Sequence, residues 1–275
     1  MNSDLEISDH DRLQRDIDAV SKWSQENKLH FNVSKCSVMT FSRARAPRHH
    51  QYQLEGQTLR RVTEVRDLGI QFSADLNFRK HVADTCKRAY RNLGFVLRQA
   101  NAFTNIKALR ALYEALVKSH LECNASIWSP GEAKYKVMLE RIQNKFLRFM
   151  YLKLYGVYPG YPLLYPTLFV MGMVGYSTLE LRREVSLAAY IFKVLRGKVH
   201  NPAVLKELRF CVPNDSGSRR RRPPLLAQPR ARTCLLQRAP LTRATCTLNS
   251  VAEHIDLFSC SLGEFIRATT LLLSF

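Results

Sequence analysis

Asn32, Lys35 and Cys36 stand within five positions of one another in the stretch FNVSKCSVMTFSRAR, residues 31–45. An amide, an ammonium and a thiol at that spacing fit a metal site, a catalytic loop, or a turn that feeds a β-strand. The first two need partners, and the sequence offers few. A nucleotidyl-transfer centre needs two acidic side chains to hold Mg²⁺ around the transferring phosphorus. Asp4 stands alone in NSDLEI, and Asp16 and Asp18 lie on an amphipathic helical stretch, where they read as a solvated face. No glycine-rich phosphate loop or serine nucleophile elbow is present. Cys234, Cys246, His254 and Cys260 can be strung together as zinc ligands, but their spacing is loose, and scattered small core cysteines are the favoured reading. His49 and His50 sit in a basic loop and read as facing a polyanion.

The charge balance points the same way. Among 275 residues, 42 Lys and Arg outweigh 23 Asp and Glu, for a formal net charge of +19. Such an excess attracts polyanions, either nucleic acid or an acidic membrane surface, and nucleic acid is favoured because the cations recur on helix faces. With 46% hydrophobic residues the chain can bury a core, as one large domain or two small ones. Seven cysteines without a CxxC pair argue against a disulfide framework and for a reducing compartment, so the expected location is intracellular, nucleus or cytoplasm. The acidic, polar start is no signal peptide. The most apolar run, residues 161–176, is broken by Pro and Gly, too short for a membrane span, and reads as a buried loop-and-turn segment.

The elements that must position these residues follow from periodicity. Residues 11–29 read as a helix with Leu13, Ile17, Val20 and Trp23/Ser24 on its apolar stripe. Asn32 and Ser34 read as turn formers, because short polar side chains bond nearby backbone. SVMTFSR follows as a strand, the sequence around Glu55-Gly56 as a hairpin, and VRDLGIQFS as a further strand. From Asn77 onward the period is helical. One stripe joins Val82, Cys86, Ala89, Leu93 and Val96/Leu97, leaving Lys80, Lys87, Arg88, Arg91 and Arg98 outward. A second helix turns Ile106, Leu109, Leu112/Tyr113, Leu116 and His120/Leu121 inward. A third buries Met138/Leu139, Ile142, Phe146 and Phe149/Met150, with Lys134, Arg141, Lys145 and Arg148 outside. A fourth runs from a cap at Ser177 to Gly197. Residues 212–238 are basic and proline-rich and predict an extended or poorly ordered segment, followed by one or two short helices.

Taken in order, LQRDIDAVSKWSQENKLHFNVSKCSVMTFSR, VRDLGIQFSADLNFRKHV and LRALYEALVKSHLECNASIWSP resemble the later part of the reverse transcriptase of non-LTR (LINE-type, jockey-like) retrotransposons. The likeness continues through YPTLFVMGMVGYSTLELRR and ARTCLLQRAPLTRATCTLNSVAEHIDLFSCSL, and so spans nearly the whole chain. Singly these motifs are weak; in this order and spacing they are specific.

The resemblance implies that Asn32, Lys35 and Cys36 form the turn after the palm helix, with Lys35 near the phosphates of the incoming nucleotide. It implies that Arg66 to Ile70 is the hairpin gripping the primer terminus, with Gly69 at the closest backbone approach. It implies a thumb after Asn77 whose basic faces, Lys80 to Arg98 and Arg141 to Arg148, follow the template–primer duplex of RNA and DNA. The sequence departs from the family in its carboxylates. The two palm motifs that hold Mg²⁺ in the complete enzyme lie upstream in the family, and only Asp4 stands where the second would end. The expectation is therefore an α+β, predominantly helical chain. It comprises a palm remnant at 1–76, a helical thumb at 77–152, and a helical C-terminal region at 153–275 with a basic Pro-rich linker near 212–232. Its expected function is that of a truncated RNA-directed DNA polymerase that binds template–primer, holds no metal by itself, and lacks the remaining polymerase and endonuclease parts. The alternative is a non-catalytic nucleic-acid-binding module or a transposon relic.

Overall fold

A computed structural model describes residues 3–100, 105–158, 167–212, 224–228 and 230–274. The chain divides into two compact units, Met1–His81 and Val82–Phe275. It is α+β and mostly helical.

The first unit opens with helix α1, Ser3–Glu26, which begins eight residues before the periodicity alone suggests. Lys28, at φ 57°, ends it in a left-handed turn, with Leu29 N–H donating back to the Ser24 carbonyl at 2.9 Å. A 3₁₀ turn at Val33–Lys35 leads into β1, Ser37–Val38. Then come β2 (Gln53–Leu54), β3 (Gln57–Thr58), β4 (Arg60–Arg61), β5 (Glu64–Asp67) and β6 (Ile70–Ser73). They pair two by two: β1 with β4 in parallel, β2 with β3 and β5 with β6 antiparallel. The hairpin at Glu55-Gly56 is present as expected. The stretch read as one strand, VRDLGIQFS, is instead a second hairpin, Glu64 opposite Ser73 and Asp67 opposite Ile70, turned at Leu68-Gly69. Both turns have two residues at positive φ, which suits the right-handed twist of the strands they join.

Two-residue strands offer little area, and α1 shows the consequence. Its side of contact is polar. The Gln14 amide donates to Gln53 O and accepts from Gln53 N, each at 3.0 Å, while Ser21 and Ser24 are buried. The apolar stripe expected to face inward stays uncovered: Leu13, Val20 and Trp23 are about half exposed, at 47%, 52% and 54%. Leu13 and Val20, with Ile17, Phe31 and Met39, line an open groove of about 840 Å³.

The second unit is built on α2, Arg79–Gln99, whose first turn still belongs to the first unit. Its expected stripe is the buried one: Val82, Ala89 and Leu93 are fully covered and Cys86 and Val96 nearly so. α3 (Ile106–Tyr113) is capped by Asn105, whose side chain accepts from Lys107 N and Ala108 N. It passes into a π-helical turn, Glu114–Lys118, and then α4, Ser119–Glu122. The π turn holds one residue more than an α turn, so the inward position is Val117 rather than the expected Leu116, and Lys118 is buried beside it. After α5 (Ala125–Trp128) comes α6, Ala133–Tyr155, ended by Gly156 at φ 72°. α6 turns Leu139, Ile142, Phe146, Leu147 and Met150 inward, and Phe146 stacks on Tyr113 with ring centroids 3.9 Å apart.

Within the run read as a loop, Thr167–Met173 forms helix α7, and residues 161–166 lie outside the described ones. α8, Leu179–Leu195, is capped by Thr178 rather than Ser177, its side chain accepting from Leu181 N at 3.2 Å. Gly197, at φ 65°, closes it as expected. α9 (Pro202–Glu207), α10 (Cys234–Gln237), α11 (Pro240–Ala252) and α12 (Leu262–Leu273) complete the unit. Leu187, Phe192, Leu248, Val251 and Phe265 make a core of α8, α11 and α12, with Phe192 stacked on Phe265. The basic proline-rich segment is partly anchored. Leu226 is fully buried, and the Asn249 amide bonds both its N–H and its carbonyl at 2.8 Å. Residues 213–223 lie outside the described ones. Among the described residues no helix is long and apolar enough to cross a membrane.

Candidate nucleic-acid interface

α6 lays Arg141, Lys145 and Arg148 on one face because steps of four and three residues return to the same side of a helix. The opposite face is committed to the core by Leu139, Ile142 and Phe146. α2 brings Tyr90 to the same place, and Tyr158, two residues beyond the Gly156 turn, joins it. These five side chains line a cavity of about 450 Å³, with no acidic side chain among the described residues that line it. Tyr90 and Tyr158 are exposed. The Lys145 ammonium lies 5.8 Å from the centre of the Tyr90 ring, within reach of a cation–π attraction. Arg148 Nε is buried and has no hydrogen-bond acceptor among the described residues. A buried guanidinium N–H is costly without an acceptor, and an anion in the cavity would supply one.

The other expected site residues are scattered over the two units. In the first unit, Asp4 falls within α1, and its side chain is outside the described ones. Lys35 ends the 3₁₀ turn and is exposed. Its turn is held by backbone, Lys35 N to Asn32 O and Cys36 N to Val33 O, both at 3.0 Å. The Asn32 side chain accepts from the Ser34 hydroxyl at 2.6 Å and makes no bond to the backbone, contrary to its expected role. Arg66 is exposed in β5 opposite Gln71. Gly69 has φ 87°, and an added Cβ there would meet nothing within 4 Å, so backbone conformation is what requires glycine. Lys80 forms an ion pair with Glu64. In the second unit, Lys87, Arg88, Arg91 and Arg98 are exposed along α2, and Lys87 lies 3.9 Å from the Asp84 carboxylate.

Sequence reasoning missed two features of the cavity. Tyr90 sits one helical turn beyond Lys87, an aromatic on a cationic face, and that juxtaposition was readable. Tyr158 was not, because its position depends on the left-handed turn at Gly156. A second polar cluster is structural. Glu114 Oε1 accepts from Arg110 Nε and from the Tyr176 hydroxyl, both at 2.9 Å, and the Lys118 ammonium lies 4.5 Å from the centre of the Tyr176 ring. Burial works to raise the Glu114 carboxyl and is outweighed by these donors, which hold it below the usual range. Burial lowers the Lys118 ammonium. Burial pushes the Cys86 thiol up to about 11, the nearby Arg183 guanidinium pulling the other way, which leaves it an inert core group.

Among the described residues no group of three or more His, Cys, Asp or Glu side chains could hold a metal ion. Asp16 and Asp18 are separated by roughly 200° around α1 and cannot converge on one ion. Asp18 is also engaged, accepting from Gln14 Nε2 at 2.8 Å. The chain matches no known protein-family model, no curated protein and no solved structure.

Proposed function

We propose that this chain binds nucleic acid through the outer faces of α2 and α6, as the nucleic-acid-gripping segment of a non-LTR retrotransposon reverse transcriptase that carries no phosphoryl-transfer centre of its own. The observation that carries this reading is the cavity lined by Arg141, Lys145 and Arg148 together with two tyrosines. Three cations converge without an acidic neighbour in the lining, and one of them holds a buried, unpartnered N–H. The fixed spacing of cations along a helix face suits phosphates, and nothing in the arrangement forms a bidentate reader of a base edge.

Binding therefore rests on counterion release and is weakly sequence-dependent. Fluorescence anisotropy on a labelled 20-base-pair duplex across a salt series tests it. Affinity should fall steeply with salt, and R141Q/K145Q/R148Q should lower the log–log slope by about two to three, close to one per lost phosphate contact. A slope unchanged by the triple substitution would remove α6 from the interface.

A further inference from the structure

The cavity is more than a cluster of cations, because two of its lining residues, Tyr90 and Tyr158, are aromatic. We propose that it is a seat for one unpaired nucleotide of a single strand, the base lying against Tyr90 and Tyr158 and the adjoining phosphates on Arg141, Lys145 and Arg148. The inference rests on the nucleic-acid reading above and adds the ligand class.

A volume of about 450 Å³ falls in the range of small-ligand sites, about 300–1,000 Å³. Within a duplex both π-faces of each base are covered by neighbours, so an aromatic side chain can stack only on a base that has left the stack. Tyr90 and Tyr158 are 39% and 55% exposed, too open for core residues and available to a ring from outside. Lys145 occupies one approach to Tyr90 at 5.8 Å, close enough to meet a phosphate attached to a base on that ring. Arg148 supplies the donor that no described residue accepts from. A phosphate-only ligand would satisfy the three cations and leave both tyrosine faces bare. An unpaired nucleotide engages all five residues.

The full chain is tested by anisotropy with a labelled eight-nucleotide single strand and a blunt duplex of the same length, with inorganic polyphosphate as competitor. The single strand should bind more tightly than the duplex, and polyphosphate should compete poorly. Tyr90→Ala and Tyr158→Ala should each weaken single-strand binding by between about 5-fold and 100-fold, the range of base–aromatic stacking, and weaken duplex binding clearly less. Tyr90→Phe, which keeps the ring and its packing, should bind like the wild type. R141Q/K145Q/R148Q should weaken both ligands. Equal weakening of single strand and duplex by Tyr90→Ala, no effect of either alanine on the single strand, or polyphosphate competing as well as the oligonucleotide overturns the nucleotide seat while duplex binding stands. Failure to bind either nucleic acid at low salt overturns both proposals.

Discussion

Leu68 is held at φ 44° with 88% of its surface exposed. A branched apolar residue gains nothing there, since the left-handed region costs an L-residue about 1–2 kcal/mol and the side chain buries little to offset it. Its neighbour Gly69, at φ 87°, is free of that cost. Leu68→Asn creates the Asn-Gly pair favoured in a two-residue hairpin turn and should raise stability by about 0.5–1 kcal/mol. Gly69→Ala should lower it by about 1–2 kcal/mol, although the added methyl meets nothing. Urea unfolding of both variants checks this, and a destabilised Leu68→Asn would show that strain at Leu68 does not limit the stability of this turn. The Leu-Gly turn was half legible. Gly69 stood out as a special position, but the sequence around it alternates well enough to pass for one unbroken strand.

At the scale of elements, α2 and α6 were legible because each presents an uninterrupted stripe to a deep core, and the α6 cations fell on the face opposite that stripe. α1 has an equally regular stripe, but the short strands of its unit do not cover it, so its periodicity misreported burial. The π turn was illegible: no residue between Glu114 and Lys118 announces an extra residue in the turn, yet it exchanges Leu116 for Val117 and buries Lys118. Two carboxylates anchored across these elements give the packing a pH signature. Glu114, bridging the π turn to Tyr176, has a folded pKa below its ordinary value of 4.5. Its contribution is fully present above pH 4.5 and is lost as pH falls through the folded value. Glu140 of α6 accepts from Glu180 N at 2.9 Å at the start of α8, and burial holds its carboxyl above 4.5, against the pull of that hydrogen bond. The folded state therefore binds its proton more tightly than the unfolded chain. Stability falls as pH rises from 4.5 through the raised value. Denaturant unfolding at a series of pH values should show Glu114→Gln flattening the acid side below pH 4.5 and Glu140→Gln flattening the decline above it. Parallel curves for wild type and both variants would mean that neither carboxylate is linked to folding.

At the scale of the whole molecule, a net charge of +19 attracts any polyanion, so weakened binding after losing three cations says little about where the polyanion lies. The salt slope is more informative, because it counts released counterions, each tied to a phosphate contact. Three cation sets compete: Lys87, Arg88 and Arg91 on α2; Arg141, Lys145 and Arg148 on α6; and the run Arg219 to Arg222, which lies outside the described residues. Cutting the chain before Pro213 would be the simplest way to remove the third set, but the fold rules it out. Leu248, Val251 and Phe265, which cover Leu187 and Phe192 of α8, all lie beyond the cut. Losing them would expose a core, and lost binding would then report unfolding. Charge substitution avoids this. Changing Arg219 to Arg222 together to Gln should leave the duplex slope within about one unit if the helices carry the interface. The α6 triple should lower it by about two to three. The α2 triple should lower it by less, because Lys87 already lies 3.9 Å from the Asp84 carboxylate and displaces fewer counterions on reaching a phosphate. Thermal unfolding of each variant confirms that the fold is kept. If the Arg219 to Arg222 change removes most of the slope while both helix triples keep it, the faces of α2 and α6 are solvated surface, and affinity resides in the basic segment that precedes α10.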